Sequence, residues 1–257
     1  MNETREVLHS GRMLPIRQAF LIAYMTGILW LRRNPISLVF TAISPFSLLF
    51  VLFVATGGEY VHLAVAGSLV MALVGYGLAL GQDISFYKTE YKIQDVFVAS
   101  PVSPLTYMMG LALSELLFGL PALVVLAALV VSFGGSIFGI PMLIATILLV
   151  WGSMSSMGFF LSSHMLHMRN ATQIISFVNV VLAVLPPVFY SIDMVPDVLR
   201  PLAYALPTTH ASLMLQYIIG ETPIPADWSL GFGFAVQAAY LVGFVILART
   251  RAIWRES

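Results

Sequence analysis

His164 and His167 stand three residues apart with Arg169 close by, which would put two imidazoles on one helical face. A zinc site takes three or four ligands, and no third ligand of matching spacing accompanies them. Ser153, Ser155 and Ser156 precede His164 in the same stretch, residue types that could supply a nucleophile and its base. Steps along a single helix do not create the hydroxyl-to-imidazole geometry that acyl transfer needs. Beside Gly152 and Gly158 such serines pack helices or line a path. Gly75, Gly77 and Gly81 look superficially like a phosphate loop, but they lie inside an apolar run, and the chain contains no G-x-x-x-x-G-K-[ST]. Small residues four apart, as Gly77 and Gly81 are, let two membrane helices approach. No catalytic residue, metal or cofactor is therefore expected. Glu115 is different: it is an isolated carboxylate in an apolar run, and such groups face a partner or a wet cavity because they are costly. Two readings stay open for it, a substrate-path or coupling residue and a protonated side chain bonded to a neighbouring helix.

The elements that must position these residues follow from composition. Of 257 residues, 59% are apolar and 9% charged, against about 25% charged in a soluble domain. No soluble globule of this size hides so much apolar surface. The chain reads as an all-α integral membrane protein. Charge is sparse and balanced and there are no cysteines, so a nucleic-acid binder, a disordered chain and a disulfide scaffold are excluded.

A spanning helix needs about 20 apolar residues. Six segments qualify, at roughly 36–57, 61–82, 104–133, 137–163, 171–190 and 228–248. Met1 to Gly11 is polar, with Glu3, Arg5 and Glu6, and does not have the pattern of a secretory leader. With both termini inside, the inner segments carry Arg5, Arg12, Arg17, Arg32, Arg33, Lys88, Lys92, Arg169, Arg249, Arg251 and Arg255, leaving only Arg200 outside. Glu59, Asp193, Asp197, Glu221 and Asp227 then lie outside. Loop cations set orientation, so both termini are expected in the cytoplasm.

Two further apolar stretches are not expected to cross. Leu14 to Leu31 is separated from the first span by Arg32, Arg33 and Asn34 only, too few for a comfortable hairpin. It is expected to lie along the inner surface, although Leu21, Met25 and Ile28 share a side with Arg17 and its amphipathicity is poor. Pro35 is expected to open the first span after an Asn34 cap. Val198 to Ile219 is cut by Pro201 and Pro207 and carries Arg200, Thr208, Thr209 and His210. It is expected to form short helices that dip in from the outer face.

The longest inner loop, Asp83 to Ser103, is expected to hold one helix from Phe86 to Val98. On that helix Phe86, Ile93 and Phe97 make a stripe, Glu90 lies near it, and Lys88, Lys92 and Asp95 lie opposite. The helix should end near Ser100-Pro101, with Ser103 capping the next helix at Pro104.

Three runs carry a family resemblance. They are LRRNP (Leu31 to Pro35), ASPVSPLTY (Ala99 to Tyr107) and LPPVFYSIDMVPDVLRPLAYALPTTHASLMLQ (Leu185 to Gln216). In order and spacing they resemble the type-2 ABC transporter permeases, the membrane subunits of exporters for drugs, lipids and polysaccharides. Thr208-Thr209-His210 departs from the Leu-Thr-Tyr expected after Pro207. The resemblance implies an interfacial helix at 14–33, an ATPase-coupling helix at 86–98 and outer re-entrant helices at 192–217. It assigns coupling to Phe86, Lys88, Glu90, Lys92, Ile93, Asp95 and Phe97, and it adds Pro187, Pro207 and His210 to Glu115 as transport-path candidates. It also implies a cytoplasmic ATP-binding partner and a second membrane subunit, a copy of this chain or a related permease, in the cell membrane among its lipids.

The expected function is thus one subunit of an ATP-driven exporter that moves an amphipathic, lipid-linked or drug-like substrate outward. A passive channel or facilitator, and an intramembrane enzyme, are the alternatives.

Overall fold

The computed structural model describes residues 14–134, 139–165, 167–220 and 224–253. Glu3, Arg5, Glu6, Arg12, Glu221 and Arg255, assigned above to the flanks of spans, lie outside these residues. Among the described residues every regular element is helical, and five helices are long and apolar enough to cross a membrane.

The chain enters through α1 (Pro15–Ala23), passes a π-helical segment (Tyr24–Ile28) and continues as α2 (Leu29–Arg33). Ala19, Ile22, Ala23 and Gly27 are buried, whereas Leu14, Ile16, Phe20 and Met25 are exposed. This explains the poor amphipathicity of the stretch: one apolar side packs on protein and the other is left for lipid. The first span, α3 (Ser37–Ala55), starts two residues later than expected. Asn34 contributes its carbonyl, not its side chain, accepting from the Ser37 amide at 3.1 Å and the Ser37 hydroxyl at 2.7 Å.

α4 (Val61–Thr89) is the axis of the bundle; 83% of its most apolar window is buried, against 6% for α3. It runs seven residues past the expected end at 82. α6 (Pro104–Gly134), α7 (Gly139–Ser163) and α8 (Met168–Ala183) pack around it, and α11 (Leu230–Arg251) packs on α7. Small residues make the closest approaches. A Cβ on Gly77 would lie 2.5 Å from Met154 Cβ, and one on Gly81 would lie 2.7 Å from the Gly158 carbonyl. Lipid supplies no hydrophobic drive between helices, so this dispersion contact is what holds α4 to α7. Ser85 Oγ and Ser162 Oγ, 2.7 Å apart and buried, tie the same pair, a bond worth roughly 0.6–2 kcal/mol in membrane proteins.

The expected span at 171–190 is helical only over Met168–Ala183, sixteen residues or roughly 24 Å. Pro186 and Pro187 stop it, because each removes an amide donor and the residue before a proline avoids the helical region. The chain then folds back irregularly, with Pro186, Pro187 and Val188 buried. A 3-10 turn (Ile192–Met194) and two helices follow, α9 (Arg200–Tyr204) and α10 (Pro207–Ile219). At roughly 20 Å α10 is too short to cross a hydrocarbon core of about 30 Å. It is almost wholly buried against the long helices.

The single helix expected at Phe86 to Val98 is not present. α4 carries Phe86 and continues to Thr89, then the chain reverses, and α5 covers only Ile93–Ala99. The break is at Lys92, which adopts φ 50°, a left-handed backbone that no helix propagates through. Downstream the expectation holds: α5 stops before Ser100, and α6 begins at Pro104. The Ser103 hydroxyl there accepts from the Thr106 amide at 3.1 Å.

Candidate functional site

Glu115 sits eleven residues after Pro104 on α6, roughly 16 Å along it, and is 7% exposed. Its carboxyl lies within interaction range of that of Asp83 on α4. Two carboxylates side by side repel, so such a pair ionises once more readily than twice. Both side chains line a cavity of about 270 Å³ together with Thr26, Trp30, Ser37, Thr41, Phe86, Tyr87 and Phe118. Four elements therefore build it: the Thr26–Trp30 stretch, α3, α4 and α6.

The local sequence explains its walls. In the π-helical segment the Thr26 hydroxyl donates to the Ile22 carbonyl at 2.8 Å, and Gly27 lets the segment lie against Ser114. Trp30 meets Phe118 edge to face at 5.5 Å between ring centres. The Tyr76 hydroxyl donates to the Thr41 carbonyl at 2.9 Å, fastening α3 to α4 beside the cavity. Ser37 and Thr41 also direct their hydroxyl hydrogens to backbone carbonyls, at 2.7 and 3.1 Å. The carboxyl pair is thus the strongest polar feature of an otherwise aromatic chamber.

The other three path candidates lie elsewhere. Pro187 lines a separate apolar cavity of about 290 Å³ with Tyr190, Met194, Pro196, Leu199 and Leu202. Pro207 is the first residue of α10, and its carbonyl accepts from the Gln237 amide group of α11. His210 is fully buried, with Nε2 2.8 Å from the Tyr204 carbonyl and Nδ1 3.2 Å from Trp228 Nε1. Trp can only donate, so Nδ1 accepts, and Nε2 carries the hydrogen and donates to the Tyr204 carbonyl. Two residues of the unusual Thr208-Thr209-His210 run are thereby accounted for: Thr209 donates to the Ala203 carbonyl, and His210 clamps α9 to Trp228, while the buried Thr208 hydroxyl has no hydrogen-bond partner among the described residues. Burial holds the His210 ring below the usual imidazole range, against the opposing effect of the Tyr204 carbonyl.

The inner loop presents a different surface from the expected stripe. Phe86 packs edge-on against Tyr91 at 4.7 Å and lines the carboxyl cavity, while Phe97 packs on the Tyr107 ring at 4.9 Å. Two of the three expected anchors therefore face inward. Exposed instead are Glu90, Tyr91, Lys92, Ile93, Asp95 and Val96; Lys88 is half-buried at the end of α4. Spacings of seven and four presuppose a continuous helix, and the left-handed Lys92 resets their phase.

Sequence reasoning missed Asp83 by ending the second span at 82 and placing this residue in a loop. The signal was there, because an acidic residue one step past an apolar run is still within the helix when the run continues as ISFYKT. The sequence profile of the ABC-2 type transporter family matches residues 17–219. The chain belongs to that family. No curated protein sequence matches it. The matched segment runs from α1 to the end of α10, so the carboxyl pair, the α4–α5 turn, α9 and α10 all lie within the ABC-2 region. The protein is a multi-pass membrane permease subunit of an ABC transporter.

Proposed function

We propose that this ABC-2 permease is the membrane subunit of an ATP-driven exporter, working as a pair with a second membrane subunit and with cytoplasmic ATP-binding subunits. The observation that carries the reading is the family match over residues 17–219 in a chain with no phosphate-binding loop of its own. Nucleotide is then handled by the partner. The α4–α5 turn supports the contact, because it offers exposed apolar side chains, Tyr91, Ile93 and Val96, between charges at Glu90, Lys92 and Asp95. Apolar anchors ringed by charge suit a protein groove.

In this reading both termini are cytoplasmic, the positive-inside bias being the argument. α8 and the irregular segment after it make the sixth crossing, and α9 and α10 re-enter from the outer face. Irregular backbone at membrane depth is tolerated when buried in protein, as Pro186 to Val188 are. α1 to α2 lies at the inner interface. ATP closes the partners, the α4–α5 turn moves with them, and α4 transmits that motion directly, since the turn is its own end. Cargo of amphipathic, lipid-linked or drug-like kind then moves outward.

ATP-dependent accumulation of cargo in inside-out vesicles tests direction. Accumulation in right-side-out vesicles, or accumulation without ATP, contradicts it.

A further inference from the structure

We propose that the cavity holding Asp83 and Glu115 is a binding site for a hydrophobic, monovalent organic cation, such as a quaternary or protonated aromatic amine. The proposal names the cargo class for the exporter reading above and rests on it for that role, though not for binding itself.

Three independent features of the cavity select this chemistry. Among the described residues lining it, the paired carboxyls are the only acidic groups and none is basic. Ionised once, the pair presents a single negative charge, which balances one positive charge and not two. Around the pair stand four aromatic rings, those of Trp30, Phe86, Tyr87 and Phe118. Aromatic faces attract cations through the ring quadrupole, and most strongly when the cation has shed its water. Among the described residues no third acidic or imidazole group joins the two carboxyls, so a hard metal ion would find no charged ligand cage here. The volume, about 270 Å³, suits a small ring-bearing ammonium. A neutral guest would gain the apolar walls but leave the carboxylate unmatched, and an anion would be repelled.

The test uses the purified permease with its co-purifying subunits in maltoside micelles. The probe is radiolabelled phenyltrimethylammonium, compared in equilibrium dialysis with its uncharged carbon isostere, tert-butylbenzene. The expected result is saturable binding of the cation at least tenfold tighter than the isostere. The double variant Asp83→Asn with Glu115→Gln, which removes the charge, should cut cation affinity at least tenfold and leave the isostere within twofold, whereas either single variant keeps one carboxylate and much of the affinity. Equal binding of the two probes to the unaltered protein overturns the proposal, and that comparison needs no variant to fold. So does cation affinity unchanged in the double variant. Displacement of the probe by a short-chain phosphatidylcholine would assign the site to lipid ammonium headgroups, and lack of displacement to free cations; either supports a cation site. Dialysis needs no ATP, so an assembly that binds the cation without hydrolysing ATP would overturn the exporter reading and keep the site.

Discussion

Trp228 and His210, eighteen residues apart, are joined by a buried hydrogen bond of 3.2 Å that fixes the imidazole as a neutral Nε2–H tautomer. The bond locks α9 and α10 to the start of α11. Trp228→Phe keeps the ring and removes the donor, so a buried acceptor is left unpaired at a cost of about 1–3 kcal/mol. A lower unfolding midpoint in detergent is expected; an unchanged midpoint would mean the bond holds nothing.

The same ring sets a pH dependence. Its folded pKa is depressed by burial, so the unfolded chain binds the proton first as pH falls. Stability contributed by neutral His210 is present above the unfolded value of about 6.5 and is lost progressively as pH falls toward the folded value. Unfolding midpoints measured from pH 7.5 to 5.0 should decline, and His210→Gln should flatten that decline. An identical slope in the variant would place the titration elsewhere.

Glycine packing along α4 gives a sharper contrast. Gly77→Val must displace Met154 or the α7 backbone, whereas the position of a Cβ on Gly231 is open space. Gly77→Val should cost about 1–3 kcal/mol or prevent insertion as a stable fold. Gly231→Ala should be neutral or slightly stabilising, since alanine is the better helix former. Equal behaviour of the two would remove the close-packing account of α4 and α7.

The carboxyl pair should show energetic coupling. In a double-mutant cycle of Asp83→Asn and Glu115→Gln, interacting neighbours typically couple by about 0.5–3 kcal/mol. Strict additivity of the two unfolding shifts would show that they act apart.

Much of this fold was legible because bilayer thickness forces a simple signal. Apolar runs gave α3, α6, α7 and α11 within a few residues, and the small-residue spacing at Gly77 and Gly81 foretold a close helix approach, though not that α7 would make it. What failed were features decided by backbone conformation or tertiary contact. The left-handed turn at Lys92 is invisible to periodicity, because lysine is an ordinary helix residue. Phe86 and Phe97 read as anchors for a partner, yet nearby Tyr91 and Tyr107 claim their rings. Asp83 fell to an early boundary, and with it the partner of Glu115. Glu115 itself was found from the cost of a carboxylate in an apolar run, a signal that needs no neighbour.

The α4–α5 turn is the place where the permease reading is most exposed to test. Tyr91→Ala and Val96→Arg alter exposed side chains that lie outside every span, Tyr91 meeting α4 at the Phe86 ring, so both variants should fold and insert. Loss of an interface anchor commonly costs about 2 kcal/mol, roughly thirtyfold in Kd. Phe97→Ala should instead lower the stability of the permease itself, because that ring packs on Tyr107.

The most direct measurement is ATP hydrolysis by the assembly purified from its own membranes through a tag on this chain. The account predicts that an ATP-binding ABC subunit co-elutes in stoichiometric amount, that the eluate hydrolyses ATP, and that Tyr91→Ala or Val96→Arg depletes both. If the unaltered chain elutes alone without ATP hydrolysis, or both variants retain partner and activity in full, the account of this permease as an ATP-driven subunit coupled through that turn is contradicted.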